Sequence, residues 1–306
     1  MTSTGLNRNT IDKYYTNVEI AQNCIDIVET FFELKSYDLI IEPSAGNGSF
    51  SKILEQKYDN VIAIDIIPEY KNIITYDFLT WDLNKYIVER NKSNDESKNK
   101  SKNKSNDESK NKSNDESKNK FKGENIIIIG NPPFGRQSST AKKFIAKSVE
   151  ISNVIAFILP KSFRKTSYQS AFPPNWHLIH DNDIPEFSFT VDEILHDVPC
   201  CFQIWKKKRK RRTNIIHQEN NKYVFTKASD ADISFRRVGV YAGLASDDLT
   251  KSKQSHYFIK FNNSNYEYIQ KIIEELNNYG WEFNNNTGPK SISKQELIPL
   301  LNQLTA

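Results

Sequence analysis

Asn131-Pro132-Pro133-Phe134 follows Asn125-Ile126-Ile127-Ile128-Ile129-Gly130, a short apolar run rich in β-branched residues. Such a run predicts a buried strand, which the proline pair ends abruptly. The Asn131 amide is then held at a strand's C-terminal end, where open α/β sheets place ligand chemistry. Its side-chain oxygen and the Pro132 carbonyl form two rigid acceptors, suited to a nitrogen that carries two N–H bonds. Phe134 offers a face to an aromatic ring. As plain structure, Asn-Pro-Pro is a turn, and the preceding strand argues against that reading alone.

A second loop of this kind lies upstream. Leu39-Ile40-Ile41 runs into Glu42-Pro43-Ser44-Ala45-Gly46-Asn47-Gly48-Ser49-Phe50. Gly46 and Gly48 let the backbone turn tightly and approach a ligand. A lone Gly-x-Gly says little, but a strand before it and Phe50 behind it make it more specific. Asp65 closes Val61-Ile62-Ala63-Ile64, where a carboxylate can accept from both hydroxyls of a ribose. Asp77-Phe78 closes Ile73-Ile74-Thr75-Tyr76, and Lys13-Tyr14-Tyr15-Thr16 precedes a helix. A helix N-terminus suits a carboxylate ligand; the plain alternatives are a capping Asp and an N-cap Thr.

The elements that must position these groups alternate. An amphipathic helix is predicted within Ile11 to Phe32, on Ile20, Cys24, Ile27, Val28 and Phe31. Strands follow at Leu39, Val61, Ile73, Asn125 and Val154, with helices marked by Phe50, Ile53 and Leu54 and by Phe144, Ile145 and Val149. That order predicts an α/β fold with a mostly parallel, helix-covered sheet. Trp176 to His180 and Val198 to Trp205 lack a clear helix between them and are expected to pair antiparallel at the sheet edge. From 206 to 306 the chain turns Asn-rich, Tyr-rich and basic, with one clear helix at Tyr266 to Leu276, so a small α+β extension on the substrate side is expected. Its interleaved aromatics and cations suit nucleic acid; packing against the larger domain explains them equally well.

Ser93-Asn94-Asp95-Glu96-Ser97-Lys98-Asn99-Lys100 recurs at Ser105 and Ser113. Residues 91–120 therefore read as a disordered low-complexity insert with nothing apolar to bury. Gly46 and Asn131 are 85 positions apart. Without the insert, roughly 55 residues remain, enough for the intervening strands and crossovers.

The 306 residues are 37% hydrophobic and 26% charged, with a net charge of +4. Lys206-Lys207-Lys208-Arg209-Lys210-Arg211-Arg212 outweighs that whole excess. The block reads equally as a solvated linker and as a phosphate-binding strip or nuclear signal. No apolar run of about 18 residues predicts a membrane span. The N-terminus lacks a secretory pattern. Cys24, Cys200 and Cys201 have no metal or paired-disulfide spacing. No metal site, no membrane association and an intracellular location, cytoplasmic or nuclear, are the expectations.

Taken together, the Glu42 to Phe50 loop and Asn131-Pro132-Pro133-Phe134 resemble motifs I and IV of the S-adenosylmethionine-dependent amino methyltransferases, most nearly those that methylate adenine N6 in DNA. Lys13-Tyr14-Tyr15-Thr16 resembles motif X, with Asn17 where proline is common, and its place ahead of motif I matches one class of those enzymes. The resemblance spans about 11–205 and implies the Rossmann-like methyltransferase sheet. It implies S-adenosyl-L-methionine as cofactor, with Tyr15, Thr16, Glu42, Ser44, Gly46 and Gly48 around the methionine part, Asp65 on the ribose, and Asp77 and Phe78 on the adenine. It assigns catalysis to Asn131, Pro132, Pro133 and Phe134, acting on a base turned out of the duplex.

Pro160-Lys161-Ser162-Phe163-Arg164-Lys165 resembles motif VI with a more basic edge. Lys161 and Arg164 would contact phosphates and Phe163 the substrate, while Phe187 or Phe189 would add to the base pocket. Gly288-Pro289-Lys290-Ser291-Ile292-Ser293-Lys294 is similar to tails of such enzymes from large DNA viruses and phages. Three other readings remain open here. Asn-Pro-Pro-Phe-Gly also looks like ribosomal-RNA adenine methyltransferases, although Glu42-Pro43 with motif X leans to DNA. Protein glutamine methylation fits the basic C-terminal half less well. An inactive nucleic-acid-binding subunit would normally have lost Asn131, Gly46 or Asp65. Deleting residues 93–120 is expected to leave folding and methyl transfer nearly intact, because surface-loop length costs little closure entropy; a thermal melt and a transfer assay on the deletion check this.

Overall fold

The computed structural model describes residues 14–89, 125–213, 217–286 and 288–306. The insert at 91–120, Lys13 and the first residues of the expected N-terminal helix lie outside them. The chain divides into two compact units, Met1–Leu159 with Ala171–Arg211, and Pro160–Ser170 with Arg212–Ala306. The second unit takes in Arg212–Ala306 and an eleven-residue stretch from the middle of the chain.

In the first unit, β1 (Tyr15–Thr16) leads into α1 (Val18–Phe31), then β2 (Leu39–Glu42), α2 (Ser51–Lys57), β3 (Val61–Asp65) and β4 (Ile74–Thr75). After the insert come β5 (Ile126–Gly130), α3 (Ser139–Ile151), β6 (Val154–Pro160) and β7 (Trp176–Asp183), then β8 (Phe189–Val191), β9 (Ile194–His196) and β10 (Cys200–Lys207). The main sheet has the order β4-β3-β2-β5-β6-β10-β7. Its strands from β4 to β6 pair parallel; Ile41, for example, lies between Ile62 and Ile128. At the far edge β10 pairs antiparallel with β7. This is the Rossmann-like α/β sheet with an antiparallel edge that the sequence predicts.

Burial explains the composition of the central strands. Every residue of β2, β5 and β6 is buried, so their runs are continuously apolar instead of alternating. Helix α1 buries Ala21, Cys24, Ile25 and Val28, spaced three and four apart on one face. The expected stripe is slightly rotated from this one: Phe31, the last helical residue, is 45% exposed. All three cysteines are buried, and burial pushes the Cys24 thiol well above its usual range, as befits packing groups.

The hairpin β8–β9 was not legible in the sequence. It joins β1 in a separate antiparallel sheet, with Tyr15 opposite Thr190 and Thr16 opposite Phe189. Its turn residues Asp192 and Glu193 have φ of 48° and 64°. Hairpin turns of this hand usually use Asn or Gly, and Asp-Glu hid the signal. The basic block is also better held than a linker. Lys206 and Lys207 end β10, the Lys208 amide donates to the Asn175 carbonyl at 2.8 Å, and the Lys210 carbonyl meets His177 Nε2 at 2.7 Å.

The second unit is an α+β layer pair. Strands β11 (Tyr223–Phe225), β12 (Ile233–Arg236), β13 (Ala245–Ser246) and β14 (His256–Phe261) form an antiparallel sheet in the order β11-β14-β12-β13. Helices α4 (Tyr266–Asn278) and α5 (Lys294–Leu304) complete its core through Ile269, Ile272, Leu276, Leu297 and Leu301. Ser293 and Glu296 close a capping box at the start of α5, which gives the Ser-x-x-Glu of the tail a structural role. The stretch 160–170 is pinned here by Lys165. Its Nζ donates to the Ser291 carbonyl at 2.8 Å, Ser291 Oγ at 3.0 Å and Asn286 Oδ1 at 3.1 Å, with Glu296 at 3.7 Å.

Among the described residues no helix is long and apolar enough to cross a membrane, and no cluster of His, Cys, Asp and Glu could hold a metal ion. Ile128 is fully buried between β2 and β6. Ile128→Ala is expected to cost about 2–5 kcal/mol of unfolding free energy, from lost burial and the cavity left behind, as read from denaturant titration.

Candidate functional site

The C-terminal ends of β2, β3 and β5 meet β1 around a cavity of about 310 Å³ within the first unit. Asn131 is the best-defined group in it. Its Nδ2 donates to the Tyr14 carbonyl at 3.2 Å and to Thr16 Oγ1 at 3.1 Å. A carbonyl can only accept, so this contact fixes which way the amide faces. Asn131 Oδ1 is left buried with no partner. Ser44 Oγ donates to the Asn131 main-chain carbonyl at 3.0 Å, tying the loop after β2 to the loop after β5. Pro132 and Pro133 line the cavity, and Phe134 packs against the core beside it. The Phe134 carbonyl accepts from the Thr140 and Ala141 amides, which closes this loop onto the start of α3.

The loop after β2 is built around its glycines. Gly46 has φ +51°, and a Cβ there would stand 3.0 Å from the Tyr15 ring. Gly48 has φ +84° and a similar approach to Tyr70; it turns the chain into α2 and does not itself line the cavity. Asp65 holds the loop in place: Oδ2 accepts from the Gly46 amide and Oδ1 from the Ile67 amide, both at 2.8 Å. Each oxygen keeps a further lone pair for a ligand hydroxyl.

Glu42 is 2% exposed, and its Oε2 has no partner. Burial, reinforced by Asp65 and Glu55, pushes its carboxyl up to about 8. A buried carboxyl oxygen without a partner is costly, and a cation placed against it offsets that cost.

Tyr15, Thr16, Glu42, Ser44, Gly46, Asp65, Asp77 and Phe78, together with Asn131 to Phe134, share this one cavity. Thr16 differs in detail from its expected role. Its hydroxyl oxygen accepts from Asn131, so it orients the amide, and its O–H and second lone pair are left for a ligand. Phe78 is 1% exposed and stacked on Phe144 at 5.5 Å, and both rings line the cavity. Asp77 Oδ1 accepts from the Leu79 amide at 2.9 Å.

None of the five candidate substrate residues lines this cavity. Lys161, Phe163 and Arg164 belong to the second unit. Phe163 is fully buried against Tyr168 and is a core residue, while Arg164 Nη1 reaches the Asn284 carbonyl at 3.4 Å. Phe189 is buried edge-on to Tyr14, and so supports the segment that holds Asn131. Phe187 is 54% exposed with φ 56°, and its carbonyl accepts from Asn17 Nδ2.

Two groups escaped the sequence reading. Tyr14 supplies the carbonyl that orients Asn131, a main-chain role that no side-chain pattern reveals. Ile66 and Ile67 form an apolar wall directly after Asp65 and are 57% and 45% exposed. Two isoleucines past a strand end and before a proline were the available signal.

S-adenosylmethionine fits this donor and acceptor set. Glu42 Oε2 can take its ammonium, the second lone pairs of Asp65 its ribose hydroxyls, and the wall of Ile66, Ile67 and Phe78 its adenine. No protein-family model matches the chain, and no curated protein matches it. Among solved structures it is similar to a Pyrococcus horikoshii protein described as a "putative RNA methyltransferase", at 14% identity and TM-score 0.41, covering 66% of this chain and 91% of that one. A Thermoplasma acidophilum protein is similar at 14% identity and TM-score 0.38, over 64% and 88% of the two chains. A SAM-dependent methyltransferase from Anabaena variabilis is similar at 12% identity and TM-score 0.34, again over 64% and 88%. All three scores are below 0.5, and the reading of the site rests on its own geometry.

Proposed function

We propose that the chain is an S-adenosylmethionine-dependent methyltransferase that modifies the exocyclic N6 amine of adenine in DNA. The observation that carries this reading is the Asn131 amide, locked through Nδ2 so that Oδ1 stands buried and unpaired.

Adenine N6 is a poor nucleophile because its lone pair is delocalised into the ring. Asn131 Oδ1 and the Pro132 carbonyl accept its two N–H bonds and favour a tetrahedral nitrogen, which frees the lone pair. Neither acceptor moves during the reaction, so no reorganisation is paid at the transition state. Phe134 stacks on the base, which must leave the duplex to reach this cavity. When bound, S-adenosylmethionine supplies the methyl group on its sulfonium, and the N–C bond forms as the S–C bond breaks. Asn131 is not a base, so the extra proton leaves the amine for water afterwards.

The preference for DNA over RNA comes from the resemblance of Glu42-Pro43, with the Tyr14-Tyr15-Thr16 segment ahead of it, to the motifs of the DNA enzymes. A radiolabelled transfer assay on duplex DNA, single-stranded DNA and total RNA, followed by digestion to nucleosides, tests this directly. N6-methyladenine from DNA is the expected product; label from RNA alone moves the substrate to RNA, and label in neither sinks the reading.

Asn131→Ala is expected to lower methyl transfer by at least about a hundredfold, with cofactor binding by calorimetry changed little. Unaltered transfer rates would remove Asn131 from the mechanism. Glu42 provides a pH signature. With its carboxyl at about 8 it is protonated near pH 7 in the free chain, and it must ionise to receive an ammonium. Cofactor binding is therefore expected to release about one proton at pH 7 and to tighten between pH 6 and 8. Calorimetry in two buffers of different ionisation enthalpy measures this, and Glu42→Gln should abolish the release.

A further inference from the structure

The second unit has a concave surface that the chemistry above does not use. A cleft of about 490 Å³ opens beside β11 and β14, lined by Lys227, Lys253 and Lys294 and by one carboxylate, Asp230. The three lysines are exposed and come from three places: the turn after β11, the loop before β14 and the first residue of α5.

Three other lysines of this unit are paired. Lys165 has Glu296 at 3.7 Å, Lys251 has Asp248 at 2.7 Å and Lys260 has Asp232 at 2.7 Å. Among the described residues, Lys227, Lys253 and Lys294 have no carboxylate within ion-pair distance. Lys294 Nζ is held instead over the Phe225 ring at 4.1 Å, with Tyr257 at 5.9 Å, and the Arg237 guanidinium lies over Tyr257 at 5.4 Å. Phe225 and Tyr257 meet edge to face at 5.6 Å. Aromatic faces restrain a cation without neutralising it. Lys294 also opens α5, an end where a cation is unfavourable, so helix stability does not account for it.

We propose that this cleft is a phosphate-contact site for a nucleic-acid strand, an inference that rests on the nucleic-acid part of the reading above. Ammoniums carried on separate elements suit a row of phosphates better than one small anion. The aromatic faces are already taken by cations, so the cleft grips the sugar–phosphate backbone and positions the strand without reading its sequence. DNA and RNA share that chemistry.

The test is fluorescence anisotropy of labelled duplex DNA and labelled single-stranded RNA over a salt series, without cofactor, on the full chain. In the Lys227→Gln/Lys253→Gln/Lys294→Gln triple variant, affinity is expected to fall at least about tenfold, with the salt slope reduced by about 2 to 3, and by about 1 in each single variant. A control lacking Lys71, Lys85 and Lys271, three exposed lysines elsewhere, should lose far less. Thermal melts confirm that each variant folds. Loss on DNA only or on RNA only supports the site and identifies its ligand. Unchanged affinity and slope on both, or an equal loss in the control, overturns it. Intact transfer with unchanged binding removes only this cleft; binding through these lysines with no methyl transfer to any nucleic acid removes only the enzymatic reading.

Discussion

The hydrogen bond from Asn131 Nδ2 to the Tyr14 carbonyl joins groups 117 positions apart and gives the cavity its chemical sense. It needs the end of β5 and the β1 segment in register at once. The β8–β9 hairpin secures β1 by strand pairing, and Phe189 packs beneath Tyr14. Ser49 Oγ adds a bond of 2.6 Å to the Thr16 carbonyl, so the glycine loop holds the same segment from the other side. Four pieces of sequence far apart in the chain thus converge to aim one oxygen.

The electrostatics follow from the same geometry. The cavity contains two buried acceptors without donors, Glu42 Oε2 and Asn131 Oδ1. Each is unfavourable in the free chain. Asn131 is turned so that its donors are used and its acceptor is not. Asp65 behaves differently, since both its oxygens already hold loop amides. The site therefore combines a group that builds the loop and still has lone pairs for a ligand with two acceptors that have no partner in the free chain, and it places stability cost only on the latter.

The main sheet was legible because its central strands are buried on both faces, and continuous β-branched runs such as Ile126 to Ile129 have few other readings. The loops at their ends were legible from Gly, Pro and Asn at fixed offsets from those runs. Interactions carried by the main chain were not. Nothing in the residue types marks Tyr14 as the orienter of Asn131, and the Asp192-Glu193 turn lacks the residues that advertise a hairpin. The three candidate substrate aromatics could not be sorted by type: Phe163 and Phe189 became core, while Phe187 stayed exposed. The stretch 160–170 reads as a strand-end loop, and only the Lys165 contacts reveal the unit to which it belongs.

That stretch has a consequence for how such a protein can diversify. The chain passes from the first unit to the second after Leu159, returns at Ala171 and leaves again after Arg211. A single genetic crossover near residue 211 would import a foreign C-terminal unit but keep the resident 160–170, leaving Lys165 to face residues it was not selected with. Exchange between relatives then succeeds only as a double replacement, or between chains already alike at Asn286, Ser291 and Glu296. The two units are bound to a shared inheritance by eleven residues.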